Sequence, residues 1–414
     1  MHVIATPAAA GLGARARAPS VLLAGVAPGE AAGNSVSSTV LGEALGRVSD
    51  LGLLTHHMSP LPSYHVTSDA DRSTVRLGTQ PFAVHGEALL AGRVHRRKLR
   101  AWDLAWAVNS RYAGAVLAAR VPYVIWEATT VRDELRAIDV AEIRRGGTGS
   151  GVGALLHGAL MPLGEHLQGR FYRGAVRLLA MSEYTRERMS ATHQLAPGMV
   201  EVLDHPPTLA YLNALATARD AEVAPRRAEA EHALRTIFVG RVDDPRKNFP
   251  LLLRAVRLLR ANGLPITLTV IGPHTERWRH SIGLADHDDV VRLRGHVTLA
   301  ELAAAYLSHD VLVVPSRQEG FGIVVAEALH AGLPVISTRC GGPEATIRAS
   351  GGGVLVEHDA DAMAAALANL AASPRARREL GDRGARYARD VLSFERFASR
   401  VAEVTAAALA EAGR

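Results

Sequence analysis

The fold is decided by one stretch, Pro315-Ser-Arg-Gln-Glu-Gly-Phe-Gly-Ile-Val-Val-Ala-Glu-Ala-Leu329. It directly follows the apolar run 311–314, a predicted strand, and passes through a Gly-Phe-Gly loop into a predicted helix. Glycines let a backbone approach a ligand closely, and a helix N-terminus presents free N–H groups and the positive end of its dipole. The stretch therefore predicts a loop that holds a phosphate group without a metal ion.

Short apolar runs alternate with helix-length amphipathic stretches on both sides of this loop. The predicted strands of the C-terminal half are 235–240, 266–271, 290–293, 311–314, 335–337 and 353–356. Those of the N-terminal half are 21–26, 103–108, 121–126 and 176–181. Parallel strands need crossover connections, so this alternation predicts an α/β fold with two doubly wound, Rossmann-like domains.

The length of 414 residues is also typical of two domains, and 48% hydrophobic with 21% charged residues is typical of a globular protein. The predicted division has five parts. They are a disordered leader (1–19), an N-terminal domain (20–208), a linker (209–233), a C-terminal domain (234–385) and a helix that packs back toward the N-terminal domain (386–414).

Composition narrows the function classes. The single cysteine, Cys340, excludes an internal disulfide framework and a cysteine-based zinc cluster, which favours a reducing, cytoplasmic location. No apolar stretch reaches the ~20 residues that span a bilayer. The net charge of +6 favours anionic partners, and the basic run 93–100 could contact the inner face of an anionic membrane. No nucleic-acid-binding signature is present, and nothing in the sequence indicates an oligomeric state.

Four charged side chains belong to the predicted ligand crevice. Arg241 and Lys247 follow the first strand of the C-terminal half, where strand ends face the crevice, and can neutralise a diphosphate. Glu319 precedes the predicted helix and suits sugar hydroxyls, whereas Glu327 lies well inside it and suits a ribose diol. Solvated side chains are the commoner explanation for each residue alone, so the prediction depends on their coincidence.

The C-terminal half resembles family 4 of the retaining glycosyltransferases, also called glycosyl transferases group 1, which have the GT-B fold. The matching pieces are Gly240-Arg241, Lys247-Asn248, Val270-Ile271-Gly272, Gly295-His296-Val297, the two glutamates Glu319 and Glu327 with seven residues between them, and the run 332–344. The resemblance covers roughly 236–356, and the N-terminal half fits only in outline. It implies two domains that face a central cleft.

The resemblance also implies residue roles. Arg241, Lys247 and Glu319 would be catalytic, the first two by stabilising the departing nucleotide. The donor-binding set would be Gly33, Gly240, Gly272, Val297, Gly320, Phe321, Gly322, Ile323 and Glu327. Many relatives place a histidine after the strand 121–125, where this chain has Trp126-Glu127. Those two residues are predicted to contact the acceptor, although a structural role is equally compatible with their types.

We therefore expect a metal-independent hexosyltransferase with a UDP- or GDP-linked sugar as co-substrate, no other cofactor and a small-molecule, glycan or lipid-linked acceptor. A nucleotide-sugar epimerase or phosphorylase on the same fold, or an inactive nucleotide-sugar-binding protein, stays open. A dinucleotide oxidoreductase lacks its G-x-G-x-x-G signature in both halves. A metal site at Asp286-His287-Asp288 is disfavoured, because these residues lie in a polar loop away from the predicted phosphate cradle.

Overall fold

The protein is represented by a computed structural model. It describes residues 18–25, 33–58, 64–69, 72–79, 87–136, 151–221, 233–284 and 288–413. These residues form two α/β units, each built on one sheet with helices packed against it. The predicted leader lies almost wholly outside them. No helix in these ranges is long and apolar enough to cross a membrane.

The N-terminal unit contains an eight-stranded sheet in the order β3-β4-β2-β1-β5-β6-β7-β8. Its strands are β1 (Ser20–Ala24), β2 (Asp50–Met58), β3 (Tyr64–Asp69), β4 (Arg72–Thr79), β5 (Leu104–Val108), β6 (Tyr123–Glu127), β7 (Arg177–Ala180) and β8 (Val200–Val202). All neighbours pair in parallel except β3 and β4. The strand order reverses direction between β1 and β5, which makes their carboxyl ends the topological switch point.

The C-terminal unit contains a six-stranded, all-parallel sheet in the order β11-β10-β9-β12-β13-β14. Its strands are β9 (Leu234–Val239), β10 (Ile266–Ile271), β11 (Val291–Gly295), β12 (Val311–Val314), β13 (Val335–Thr338) and β14 (Gly353–Val356). Strands such as β12, Val-Leu-Val-Val, are buried throughout, because helices cover both faces of a parallel sheet. The switch point here lies between β9 and β12.

Sixteen helices accompany the sheets in the described ranges. Those before the second sheet are α1 (Gly33–Leu45), α2 (Glu87–Val94), α3 (Arg96–Leu99), α4 (Gly114–Ala119), α5 (Val131–Arg136), α6 (Gly151–Gly174), α7 (Glu183–His193) and α8 (Leu209–Asp220). The others are α9 (Phe249–Ala261), α10 (Glu276–Ser281), α11 (Leu299–Ser308), α12 (Ile323–Ala331), α13 (Gly342–Ser350), α14 (Ala360–Ala372), α15 (Pro374–Asp390) and α16 (Phe394–Glu411).

The predicted linker contains a helix of the C-terminal core. In α8, Tyr211 and Leu215 are buried in the same apolar cluster as the strand β12. The Tyr211 hydroxyl donates to the backbone oxygen of Glu327 at 2.9 Å. Residues 222–232 lie outside the described part of the chain. The first half of the predicted linker is therefore held by the C-terminal unit rather than free between two domains.

The predicted boundary at residue 386 falls inside α15 and needs correction. This helix stays with the C-terminal unit because two of its glycines allow close packing: a Cβ on Gly381 would lie 2.3 Å from the Gly332 oxygen, and one on Gly384 would lie 2.5 Å from Leu329 Cδ2. The chain then crosses at residues 391–393. From there α16 packs on the N-terminal core with Phe394, Phe397 and Val401 buried.

Candidate functional site

Three neighbouring strands of the C-terminal sheet end at glycines. Gly240, Gly272 and Gly295 follow or end β9, β10 and β11, with φ values of +151°, +142° and +61°. A Cβ on Gly272 would lie 2.0 Å from the Gly240 oxygen. Side chains are therefore excluded where the strand ends approach one another, and backbone alone occupies this place beside the switch point, where open α/β sheets bind ligands.

Lys247 and Glu319 meet across this switch point. Lys247 lies at the end of the 3₁₀ turn Pro245–Lys247, and Glu319 lies in the loop after β12. The ammonium Nζ is 2.6 Å from Glu319 Oε1, and the Ser316 hydroxyl donates to the same oxygen at 2.8 Å. The side chains are 22% and 14% exposed. Two residues predicted from separate motifs are thus brought into one partly buried, charge-assisted pair.

Arg241 is held at the same edge by an aspartate that sequence reasoning missed. Asp244 Oδ2 accepts a hydrogen bond from Arg241 Nη2 at 2.8 Å and another from Arg246 Nη2 at 2.8 Å. Burial opposes ionisation of Asp244. The hydrogen bonds and the charge of Arg246 outweigh it, together with the hydrogen bond from Arg241, and lower the Asp244 pKa to about 2. The Arg241 side chain is 56% exposed. The Asp-Pro dipeptide that caps the 3₁₀ turn was the available sequence signal.

The loop from Glu319 to Gly322 is shaped by backbone contacts. The Glu319 N–H donates to the Cys340 oxygen at 2.7 Å, and the Gly342 N–H donates to the Glu319 oxygen at 3.0 Å. Gly322, with φ +82°, is the residue before α12 and provides no side-chain cap. The N–H groups of the first turn of α12 therefore have no capping side chain, which is the geometry that binds phosphates.

The same loop contacts the N-terminal unit directly. The Gly320 oxygen accepts a hydrogen bond from the Ser182 hydroxyl at 2.6 Å. The Thr185 hydroxyl donates to the Ala128 oxygen at 2.7 Å. A Cβ on Gly320 would lie only 1.9 Å from that Ala128 oxygen. From the sequence, Ser182 was recognised only as the start of a helix, which it does cap. No local pattern indicated its hydrogen bond to Gly320 of the other unit.

Glu327 lies apart from the Lys247–Glu319 pair, inside α12. Its Oε2 accepts a hydrogen bond from the Tyr306 hydroxyl at 3.0 Å, and the described residues give its Oε1 no hydrogen bond. Burial raises the pKa of this carboxyl to about 7, while the Tyr306 hydrogen bond opposes the rise. Glu327 thus presents one fixed and one available oxygen, as a diol-binding carboxylate requires. That role stays a prediction.

The remaining predicted donor residues are placed as follows. Val297 is half-buried beside the cluster that contains Ile271 and directly precedes Thr298, the cap of α11. Gly33 is the first residue of α1, and the preceding residues 26–32 lie outside the described part. The Phe321 side chain is buried among residues of the N-terminal unit, and Ile323 packs beside them. Their contacts with a donor stay predictions.

The structure contradicts the predicted acceptor contacts of Trp126 and Glu127. Trp126 is fully buried and donates from Nε1 to the Leu203 oxygen at 2.9 Å. Glu127 is 2% exposed, and its Oε2 accepts hydrogen bonds from the Ser110 N–H at 2.9 Å and the Tyr172 hydroxyl at 3.0 Å. Burial raises the Glu127 pKa to about 7. Both side chains serve the N-terminal core because β6 is covered on both faces.

The disfavoured metal site gains no support. Asp286 and His287 lie outside the described residues. Asp288 Oδ1 accepts the N–H groups of Val290 and Val291 at 2.8 and 2.9 Å, which shapes the entry to β11. Within the described ranges, no group of three or more His, Cys, Asp or Glu side chains could hold a metal ion.

Comparisons with known proteins agree with this architecture. Residues 233–373 match the model of the family described as Glycosyl transferases group 1, which confirms the resemblance for this part of the chain. An MMP alpha-(1->4)-mannosyltransferase of Mycolicibacterium hassiacum is 32% identical over 42% of this chain and 44% of its own. A GDP-mannose-dependent alpha-(1-6)-phosphatidylinositol monomannoside mannosyltransferase of Mycolicibacterium smegmatis is 29% identical over 59% and 66%. The alignments thus span about half of these relatives' length.

Solved structures extend the likeness to the whole chain. A sucrose-phosphate synthase from Thermosynechococcus elongatus superposes with a TM-score of 0.72 and 21% identity, covering 95% of this chain and 100% of that one. Anabaena HepE in complex with UDP and glucose gives 0.65 and 14%, covering 93% and 98%. The predicted GT-B fold, with two Rossmann-like units, is therefore confirmed.

Proposed function

We propose that this chain is a retaining, metal-independent glycosyltransferase. It would transfer a hexose-type sugar from a nucleotide-sugar donor to the hydroxyl of a small-molecule, glycan or lipid-linked acceptor. The observation that carries the proposal is the Lys247–Glu319 pair at the switch point, beside the uncapped start of α12. In this pair, a cation that would bind phosphate lies beside a carboxylate that would bind sugar hydroxyls, at the carboxyl ends of the strands, where such folds bind ligands.

The chemistry follows from the charges that develop. As the bond between the sugar and its phosphate breaks, negative charge builds on the departing diphosphate. We expect Lys247, Arg241 and the first N–H groups of α12 to stabilise this charge more strongly in the transition state than in the ground state. The acceptor oxygen bonds to the sugar carbon on the face that the diphosphate leaves, and its proton passes to a departing phosphate oxygen. No protein nucleophile and no cofactor take part.

Two donor bases fit the relatives' names. One relative is described as GDP-mannose-dependent, and one structural neighbour holds UDP with glucose. The half-buried Val297 would lie against either base, and Glu327 would bind the ribose diol common to both. We therefore propose a UDP- or GDP-linked hexose as the donor.

The test is the thermal stability of the purified protein with UDP, GDP, ADP or NAD, first without and then with magnesium. A ligand that binds only the native state raises the unfolding midpoint by mass action. We expect UDP or GDP to raise it without magnesium and Lys247→Ala to abolish the rise. A rise with NAD alone would contradict the proposal, and a rise that requires magnesium would contradict its metal-independent part.

An inactive nucleotide-sugar-binding protein is the second candidate, and one observation favours it. The family histidine is absent, and the Glu127 carboxylate that could have replaced it is buried against Ser110 and Tyr172. Slow release of nucleoside diphosphate from the matching nucleotide sugar, with water as acceptor, would indicate a working site. Binding without any release in the presence of varied acceptors would favour the inactive protein.

A cytoplasmic location and a peripheral contact with an anionic membrane remain predictions. A basic cluster lies in and beside α3, which leads into the amino end of β5; its members are Arg93, Arg96, Arg97, Lys98 and Arg100. This end of the strands is opposite the carboxyl ends, where the predicted cleft lies. Membrane contact there would locate the protein without bringing a lipid acceptor to the cleft. Co-sedimentation with anionic and neutral vesicles tests the contact.

A further inference from the structure

We propose that His205 is a positioning residue that joins the loop 320–322 of the C-terminal unit to helix α1 of the N-terminal unit. His205 lies in the segment 203–208, where the chain passes from β8 of the N-terminal unit to α8 of the C-terminal unit, and its side chain is fully buried. The inference rests on the proposed function only in treating 320–322 as the donor loop. The mechanical link itself is a property of the fold.

The ring of His205 is the middle member of a column of three rings. Its centroid lies 5.0 Å from that of Trp126, with 24° between the planes, and 5.8 Å from that of Phe321, with 27°. Trp126 belongs to β6 of the N-terminal sheet, and Phe321 stands between the two glycines of the loop. The column therefore anchors the loop in the N-terminal core through its one large side chain.

Two hydrogen bonds orient this imidazole. Nδ1 is 2.7 Å from the Pro206 oxygen, which can only accept, so Nδ1 carries the proton. Burial lowers the His205 pKa to about 4, so the ring is neutral near pH 7 and Nε2 is an acceptor. Nε2 lies 2.9 Å from the Ser37 hydroxyl, which therefore donates to it. Ser37 is on α1, the helix that begins at Gly33.

The arrangement connects both sides of the cleft through one side chain. The loop 320–322 and the start of α1 are the two segments predicted to contact the donor diphosphate, and His205 contacts a residue of each. An apolar ring would be enough to fill this position by packing alone, whereas burying an imidazole costs free energy unless its nitrogens are hydrogen-bonded. The Ser37 bond thus gives the polar ring a specific orientation toward α1.

Two variants separate orientation from packing. His205→Phe keeps a ring in the column but removes both hydrogen bonds, and Ser37→Ala removes one bond while keeping the ring. Amide hydrogen exchange of the full chain without ligand is the first measurement. We expect Ser37→Ala to quicken exchange in both 33–40 and 320–325 by about fivefold, the factor that the net free energy of one hydrogen bond gives, and His205→Phe, which loses two bonds, to quicken it by at least as much.

The control is a half-buried imidazole that makes the same two kinds of hydrogen bond. His309 Nδ1 lies 2.6 Å from the Ala305 oxygen and Nε2 lies 2.8 Å from the Thr269 hydroxyl, within the C-terminal unit. His309→Phe and Thr269→Val should leave exchange in 33–40 and 320–325 unchanged. The same control pair corrects for a general loss of stability.

A double-mutant cycle completes the test. In the His205→Phe background Ser37→Ala should have little further effect, because the bond is already absent. In the transfer assay the donor KM should rise about fivefold and the acceptor KM by less than twofold. Unchanged exchange in 320–325, or additive effects of the two changes, would overturn the link. Neither result depends on which nucleotide binds, so failure here is distinct from failure of the proposed function.

Discussion

At the scale of single residues, the Lys247–Glu319 pair has the most direct consequence for turnover. Lys247→Ala removes the cation at the predicted diphosphate, and Glu319→Ala removes the carboxylate at the predicted sugar. We expect either change to lower kcat by about 10²-fold or more, since removing one preorganised transition-state group typically costs that much. Circular dichroism and the thermal midpoint should show an intact fold, because both side chains lie in loops rather than in a core.

Asp288→Ala is the control for this pair. Asp288 accepts two backbone N–H groups at the entry to β11, so its loss should lower stability slightly and leave kcat unchanged. Wild-type kcat in a folded Lys247 or Glu319 variant would contradict the site. A magnesium requirement that Asp288→Ala abolishes would revive the disfavoured metal site.

Glu127 makes stability depend on pH. Burial raises its folded-state pKa to about 7, above its ordinary value near 4.5. The folded state therefore binds the proton more tightly, and ionisation destabilises it progressively as pH rises from about 4.5 to 7. Glu127→Gln removes this loss, so the variant should gain about 2–3 kcal/mol more relative to wild type at pH 8 than at pH 5.

Urea unfolding at the two pH values measures this difference. Glu187→Gln, which removes an exposed carboxyl on α7, is the matched control and should show no such dependence. An equal effect of Glu127→Gln at pH 5 and pH 8 would show that the carboxyl is ionised in the folded protein at both. Comparing differences also removes the contribution of Glu327, which is common to all three proteins.

At the scale of elements, the contact between Gly320 and Ala128 determines how the loop before α12 meets the N-terminal unit. Gly320→Ala would place a Cβ 1.9 Å from the Ala128 oxygen, so the loop must move away. We expect the donor KM to rise at least tenfold and the thermal midpoint to fall. Gly164→Ala in α6 is the control, because its Cβ would meet only Val131 Cγ1 at 3.6 Å. A donor KM unchanged by Gly320→Ala would contradict the contact.

The sequence pattern predicts those elements that are determined by their own residues, such as continuous apolar runs and loop glycines. The apolar runs of β9, β10 and β12 and the glycines after them were predicted, because a buried parallel strand is a continuous apolar run and its loop needs positive φ. The strands β2 to β4 were not, because residues 50–79 mix His, Ser, Thr and Arg with apolar positions and give no clear run. The antiparallel pair β3–β4 at the sheet edge, and β2 beside it, are specified by pairing partners that local composition does not reveal.

Contacts between the two units could not be predicted in the same way. Ser182 was recognised as a helix start, which is a local property, whereas its bond to the Gly320 oxygen joins residues 138 positions apart. Trp126 and Glu127 were assigned to the acceptor from the place of the family histidine. Their burial depends on α16, β7 and Tyr172, which are distant in sequence. Side-chain direction at a strand end is decided by such neighbours.

At the scale of the whole molecule, α16 joins the chain end to the N-terminal core by apolar and by charged contacts, and the two differ in weight. Phe397 is 3% exposed and its ring lies 5.0 Å from that of Trp126. Glu395 forms an ion pair with Arg47 at 2.6 Å, but its side chain is 75% exposed and that of Arg47 is 43% exposed. Exposed ion pairs contribute little because water screens them, whereas a buried aromatic side chain leaves a cavity when truncated.

We therefore expect Phe397→Ala to lower the free energy of unfolding by about 3–5 kcal/mol and Glu395→Gln to change it little. Urea unfolding followed by circular dichroism compares the two. Since Phe397 supports Trp126, and Trp126 supports the ring column that ends at Phe321, Phe397→Ala should also quicken amide exchange in 320–325, in the other unit. A loss of stability confined to α16 and the N-terminal sheet would mean that the two units respond independently, and the column would then be packing without coupling.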